Sequence, residues 1–293
     1  MMNSDREKLK SKGRYDFADL IDIMKTLLAP DGCPWDREQT HESLKRNLIE
    51  EAYETLEAID KKDSSLLCEE LGDVLLQIVF HAQLASAFTI DDVIQGICEK
   101  LITRHPHIFG TVSADTPAEV LANWESIKRT EKGVAAYGDA LKRVPANLPA
   151  LMRAYKVQQK ARDAGFDWDA VGPVLDKVEE ELGELRRAIA AASDITDVSA
   201  RADAGMNDNA SIEAEYGDLL FAAVNASRFL RVHPELALTA STDKFIRRFE
   251  AMEKLIAADG LSMPDMTLPE MDAYWDKVKK QFTGRRDEIP DNV

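Results

Sequence analysis

Carboxylates at helical spacing recur twice along this chain, and they are the side chains best placed to do chemistry. Glu50-Glu51-Ala52-Tyr53-Glu54 is followed by Glu70-Leu71-Gly72-Asp73. Later, Glu180-Glu181-Leu182-Gly183-Glu184 is followed by Glu215-Tyr216-Gly217-Asp218. At about 100° per residue, an i, i+3 pair shares one helix face, one turn apart. On the first helix, Leu44, Leu48, Ala52 and Ile59 form an apolar stripe. Glu51 lies on its edge and Glu54 beside it, while Glu50 and Glu57 face away. On the later helix, Val174, Val178, Leu182, Leu185 and Ile189 form the stripe, with Glu181 on its edge, Glu184 beside it and Glu180 facing away.

The partner segments are greasier. LGDVLLQIVFHAQLA after Glu70 is apolar nearly all round, so this helix is expected to be mostly buried. Its polar residues Glu70, Asp73, Gln77 and His81 share one side. LLFAAVNASRFL follows Asp218, with Asn225 two turns along the same side. Isolated buried carboxylates are costly and need a cation or protons. Four of them from two facing helices would form a hard oxygen cage suited to Mg²⁺, with Mn²⁺ as a possible substitute. The competing view is that Glu-rich helices are ordinary solvated faces. Glu70 and Asp73 inside a greasy helix, and the repetition of the pattern, weigh against it.

Paired cations follow each carboxylate set. Lys100 and Arg104, and again Lys244 and Arg248, are i, i+4 neighbours that share a face. Such pairs could hold phosphate oxygens beside a metal, Arg bidentately and Lys as a point charge. An ordinary surface stripe is the alternative. Trp124 with Lys128, and Trp275 with Lys279, come next in each series. A tryptophan there could stack on a nucleobase or simply pack in the core. Trp35 in CPWD and Trp168 in FDWD read as helix-start or loop anchors. His81 reads as a satisfied core histidine, and His105 and His107, beside Pro106, as loop residues at a helix end. No H-E-x-x-H, Walker loop, G-x-S-x-G elbow or C-x-x-C pair occurs. A di-iron bundle would want E-x-x-H where this chain has Asp73 or Asp218.

The elements that must position these groups are helices throughout. The spacing predicts helices over 17–28, 41–61, 65–87, 90–104 and 117–131. A second series covers 149–163, 171–192, 211–231, 235–258 and 268–282. Carboxylates, cations and tryptophan come in the same order in both series, so the chain reads as two tandem copies of one helical unit. The second copy carries extra residues, which the small, polar, Asp-rich stretch 193–210 accounts for as a loop. The fold class expected is all-α, with two tandem helical-bundle domains. Residues 1–132 form the first, 133–148 a Gly- and Pro-containing linker, 149–283 the second and 284–293 a tail.

Composition narrows the function. Lys and Arg number 37 against 53 Asp and Glu, a net charge of −16, which argues against binding nucleic acid or an anionic membrane through bulk charge. Hydrophobic residues make up 45% of the 293, too many for a disordered chain. Three cysteines without a C-x-x-C pair fit a reducing cytoplasm. The charged start MMNSDREKLKSKGR lacks the apolar core of a secretory signal, and no stretch is long and apolar enough to span a bilayer.

With these motifs in hand, the chain resembles the MazG family of the all-α NTP pyrophosphatase superfamily. GCPWDREQTHESLKRNLIEEAYETLEAI and EELGDVLLQIVFHAQLA are similar to a first MazG domain. The stretch from LPALMRAYKVQQKARDAGFDWD through VEEELGEL, EYGDLLFAAVNASRFL and DKFIRRFE is similar to a second. The resemblance runs from about Asp16 to Lys280. It implies Mg²⁺-dependent hydrolysis of an NTP or dNTP to the monophosphate and pyrophosphate, in the service of nucleotide-pool housekeeping. It also implies homodimers that build the site across the subunit interface. By position it implies one metal set of Glu51, Glu54, Glu70 and Asp73 and another of Glu181, Glu184, Glu215 and Asp218. Lys244, Arg248 and Trp275 would meet the triphosphate and base, with Lys279 beside them and Lys100, Arg104, Trp124 and Lys128 as the first-copy equivalents. Glu50 or Glu180 would hold the attacking water, although both project away on the wheel. The resemblance further implies that the second copy carries most or all of the activity. One departure is the segment ASIEAEYGD, where relatives carry a basic residue just before the second E-x-x-D. The reading from a different class is a non-catalytic helical interaction module with structural divalent-ion sites.

Overall fold

The computed structural model describes residues 3–131, 137–192 and 210–283. Residues 193–209 of the expected loop 193–210, the tail at 284–293 and residues 133–136 of the expected linker lie outside the described residues, and Ala210 is helical. Those described contain helices and turns and no strand. The chain divides into two compact units, Met1–Gly133 and Val134–Val293.

The first unit runs α1 (Asn3–Lys10), α2 (Phe17–Leu27), α3 (Pro34–Arg37), α4 (Lys45–Lys61), α5 (Ser64–Leu84), α6 (Ile90–Arg104), α7 (Pro106–Phe109) and α8 (Pro117–Glu131). Its helix starts are written in the sequence. Asp16 and Asp19 form a reciprocal capping box on α2, Thr89 and Asp92 form another on α6, and Asp63 accepts from the Ser65 and Leu66 amides at the head of α5. The helix expected from residue 41 begins at Lys45. Thr40 and Ser43 bond each other's backbone N–H through their hydroxyls and hold the preceding turn out of the helix. Gly32 sits where a Cβ would lie 2.2 Å from the Leu27 carbonyl oxygen, so the loop before Pro34 can fold back only with glycine there. The core gathers Met24, Leu44, Val79, Phe80, Ala82 and Ile90 from four different stretches of chain.

The second unit runs α9 (Tyr137–Lys142), α10 (Ala150–Asp163), α11 (Val171–Ala191), α12 (Ala210–Phe229), α13 (Pro234–Ala258), a 3₁₀ turn (Met263–Asp265) and α14 (Leu268–Thr283). Part of the expected linker is therefore helical: α9 packs on α10, and Val144 is buried. The repeated packing is plain within each unit, α4 lying along α5 and α11 along α12. Gly165, at φ +87°, ends α10 with the paired backbone bonds of a left-handed C-cap, Gly165 N–H to Arg162 and Phe166 N–H to Ala161. That reversal delivers Phe166, Asp167 and Trp168 to the α11–α12 pair.

One expectation needs correction. The α5 helix is not mostly buried. Gln77, Val79, Phe80 and Ala82 are covered, but Leu71 is 51% exposed, and Leu75 and Ile78 are open with it. Leu44, the cap residue of α4, is buried, while Leu48 and Ile59 of the same stripe are exposed. The unit's own helices cover one side of this pair and leave the other apolar side facing out.

Candidate metal centre and adjoining cavity

The α4–α5 pair brings Glu51, Glu70 and Asp73 together, with carboxylate oxygens within 4.8 Å of one another. The α11–α12 pair does the same for Glu181, Glu184 and Glu215. Three of the four residues in each expected set thus lie together. Glu54, on the outer side of α4, and Asp218, exposed on α12, are the fourth members. Three oxygens at this spacing, with no sulfur or nitrogen among them, fit a hard divalent cation such as Mg²⁺. The electrostatics of the first trio point the same way. Burial, then repulsion from Asp73, Glu54 and Glu70, pushes the Glu51 carboxyl up. Burial, then Glu54 and Asp73, raises Glu70. A cation at the centre would remove that mutual repulsion. In the second copy Lys177 takes part of this role, its ammonium 2.7 Å from buried Glu181 and 3.0 Å from Glu180. Those two carboxylates hold the lysine proton well above its ordinary range.

Glu50 and Glu180 are exposed and lie outside the trios, paired with Arg46 and Lys177 respectively. Lys100 is exposed on α6, whereas Arg104 is committed to Glu131 on α8 through Nε and Nη2. Trp124, on α8 with Lys128, tilts against His105. In the second copy Lys244 is exposed. Arg248 is half-buried, its Nε without a hydrogen-bond partner among the described residues and its guanidinium 6.0 Å over the Phe282 ring. Trp275 packs on Met252, Ile256 and Val278 and meets the Phe245 ring, and Lys279 reaches Asp276 at 2.6 Å. These four residues belong to the α13–α14 pair, and α10 packs on both α12 and α13. His81 stacks on His41, with Nδ1 atoms 2.9 Å apart, and burial and that neighbour lower its affinity for a proton. His105 joins α6 to α7, and His107 lies within α7.

The second trio adjoins a cavity of about 350 Å³, a size typical of small-molecule sites, which run ~300–1,000 Å³. Glu181, Asp218 and Lys177 line one part of it. Val157, Gln158, Trp168, Phe221 and Asn225 are among its other lining residues. Arg228 closes that wall. It donates to both oxygens of Asp167 and, through Nε and Nη2, to the Asn225 side-chain oxygen. Burial opposes charge on Asp167, but the Arg228 hydrogen bonds and charge and the Trp168 N–H outweigh it and hold the carboxyl below its usual range. Trp168 therefore lines a cavity as well as anchoring a loop. Gln158, Asp167 and Arg228 escape a reading of the carboxylate motifs. Comparison of the copies carries one signal, Asn225 occupying the place that Phe80 fills in the first unit, seven residues beyond the motif aspartate.

Fold and centre together define a class: an all-helical protein that builds a carboxylate trio on paired helices twice over, once beside a ligand-sized cavity. Comparison with known proteins gives that class its family. Residues 39–109 and 173–252 match the MazG nucleotide pyrophosphohydrolase domain. The chain is 47% identical over 266 residues to a Thermotoga maritima protein named nucleoside triphosphate pyrophosphohydrolase/pyrophosphatase MazG, covering 90% of this chain and 95% of that one. It is 44% identical over 266 residues to the Escherichia coli nucleoside triphosphate pyrophosphohydrolase, covering 89% and 96%. The Bacillus subtilis protein YabN is 44% identical over 269 residues, 52% of its own length. The chain belongs to the MazG family.

Proposed function

We propose that this protein hydrolyses nucleoside triphosphates, ribo or deoxy, to the monophosphate and pyrophosphate, and that the second copy carries the reaction. The observation that carries this reading is the cavity, large enough for part of a nucleotide, whose wall includes Glu181 and Asp218. Glu181, Glu184, Glu215 and Asp218 would hold Mg²⁺. When bound, such an ion supplies charge stabilisation to phosphoryl oxygens and lowers the pKa of a bound water. Water adds to the α-phosphorus, the bond from that phosphorus to the α–β bridging oxygen breaks, and pyrophosphate leaves. Lys244 and Arg248 would offset charge on the leaving group. In the first unit Arg104 is spent on Glu131, and Phe80 fills the place of Asn225. That copy therefore serves better for assembly than for turnover.

Incubation with mixed NTPs and Mg²⁺ should release pyrophosphate, and a chelator should stop it. No turnover of any nucleotide would favour the interaction-module reading instead.

The same reading includes a homodimer. Ile49 is 57% and Tyr53 53% exposed on α4, beside exposed Leu71 and Ile78 on α5. Leu182, Tyr216, Leu220 and Phe221 are exposed on α11 and α12, and Phe245, Ile246 and Phe249 on α13. Apolar surface of this extent marks an interface. Sedimentation should report twice the 32.7 kDa chain mass, and Ile49→Glu with Leu71→Glu should shift it to the monomer with helix content retained. A wild-type monomer at micromolar concentration would refute the dimer. Among the described residues no helix is long and apolar enough to cross a membrane. The cysteines are free, and we place the enzyme in the cytoplasm, without a stable nucleic-acid partner.

A further inference from the structure

The centre proposed above asks Glu181 to serve two cations. A divalent ion would take it together with Glu184 and Glu215, whose carboxylate oxygens lie within 4.8 Å of its own. Lys177, one turn earlier on α11, already reaches it at 2.7 Å. The burial of Glu181 explains the lysine. Its side chain is 8% exposed, and a carboxylate so covered is costly without a partner. The first copy has no such group at this position. At the offset that sets Glu51 against Glu181, Lys177 falls against uncharged Asn47. The charges that act most strongly on Glu51 are those of Asp73, Glu54 and Glu70, all negative.

Lys177 also has a second place to go. Its ammonium lies 3.0 Å from Glu180, which is 57% exposed and stands outside the trio. Neighbours on a helix point about 100° apart, and the flexible lysine stem spans both carboxylates. A rotation of that stem releases Glu181 and keeps Glu180. The other ion pair of the trio, Glu184 with Arg187, puts up less resistance. The Arg187 side chain is 71% exposed, so solvent replaces its partner at little cost.

We infer that Lys177 is a built-in competitor of the divalent ion at Glu181, and that Glu180 receives its ammonium when the ion arrives, so that ion uptake by the second copy is an exchange of cations rather than a simple addition. This rests on the metal-dependent hydrolase reading above and deepens it. Lys177 and Glu180 are positioning residues on this account. Neither ligates the ion, yet together they set how tightly the second centre holds it. Every ion bound there must first move one positive charge off a buried carboxylate.

The test titrates Mn²⁺ alone into full-length protein, without nucleotide, and reads the free ion by EPR. Binding that disappears in Glu184→Gln belongs to the second centre. Lys177→Met and Lys177→Gln keep the reach of the side chain and lose its charge. Both should tighten that binding by about fivefold to tenfold. Lys177→Arg keeps the charge and should stay within about twofold of the wild type. Glu180→Gln should weaken binding by about threefold in the wild type and change nothing in Lys177→Met, where there is no ammonium to receive. The gain discriminates, because removing a lysine that only supports the fold would weaken the site. Unchanged or weaker binding in both neutral variants overturns the inference. So does an equal loss from Glu180→Gln in both backgrounds, which marks its charge alone as the cause. If Glu184→Gln removes no Mn²⁺ binding, the metal reading of this centre fails, and the inference fails with it.

Discussion

Glu184→Gln should lower pyrophosphate release by about 10²–10³-fold, while Glu54→Gln should change it by no more than a few-fold. The two substitutions are chemically the same and fall at matching positions of the two copies. Their surroundings differ. Glu184 lies in a trio with Glu181 and Glu215 whose neighbour Asp218 lines the 350 Å³ cavity. It pairs with exposed Arg187, at 3.0 Å, which an arriving cation can displace. Removing one negative oxygen there weakens both the hold on a divalent ion and the field that the ion's phosphate ligands meet. Glu54 is exposed and acts on its trio by repulsion, helping to raise Glu51 and Glu70. The cation expected to serve that copy, Arg104, is locked to Glu131. Thermal unfolding with and without Mg²⁺ separates binding from turnover. Glu184→Gln should lose part of the metal-induced stabilisation as well as activity. Equal losses in both variants would show that the two copies share the work, and an unimpaired Glu184→Gln would dissolve the metal assignment.

Much of this centre is legible in the chain because its chemistry is local. Glu51 and Glu54 are one turn apart on a single helix, as are Glu70 and Asp73, and the apolar stripes beside them fix which face they share. Caps such as Asp16, Asp63 and Thr89 mark helix starts as plainly. The cavity is not legible in this way. Gln158, Trp168 and Asn225 come from α10, the loop after Gly165, and α12, and they meet only when three helices pack. The short helix α9 hides in a stretch punctuated by Gly138 and Pro145, because its stability comes from packing on α10 rather than from its own six residues. The exposed Leu48, Ile59 and Leu71 show the opposite limit. Periodicity correctly identifies an apolar face but does not say whether the same chain or another one covers it.

Asp167→Ala should destabilise the second unit by about 3–5 kcal/mol, the usual cost of stranding a buried charge. The Arg228 side chain is 7% exposed and Asp167 18%, so solvent cannot replace the lost carboxylate. The damage spreads, because Arg228 also orients the Asn225 oxygen and lies 4.6 Å over the Phe229 ring, while Asp167 accepts the Trp168 N–H. Replacing both partners, Asp167→Ala with Arg228→Met, should recover a substantial part of the loss, since an apolar pair leaves no charge unmatched. Urea unfolding followed by tryptophan fluorescence reads this, Trp168 and Trp275 reporting on the second unit. The pH dependence has a definite sign. The folded-state pKa of Asp167 is held below its unfolded value, near ~4. Its stabilisation is therefore fully present above that unfolded value and is lost as pH falls through the folded one. Asp167→Asn cannot titrate, so its unfolding free energy should decline less steeply than that of the wild type as the solution is acidified below about pH 4. If the two acid limbs run parallel, the carboxylate is not what balances Arg228.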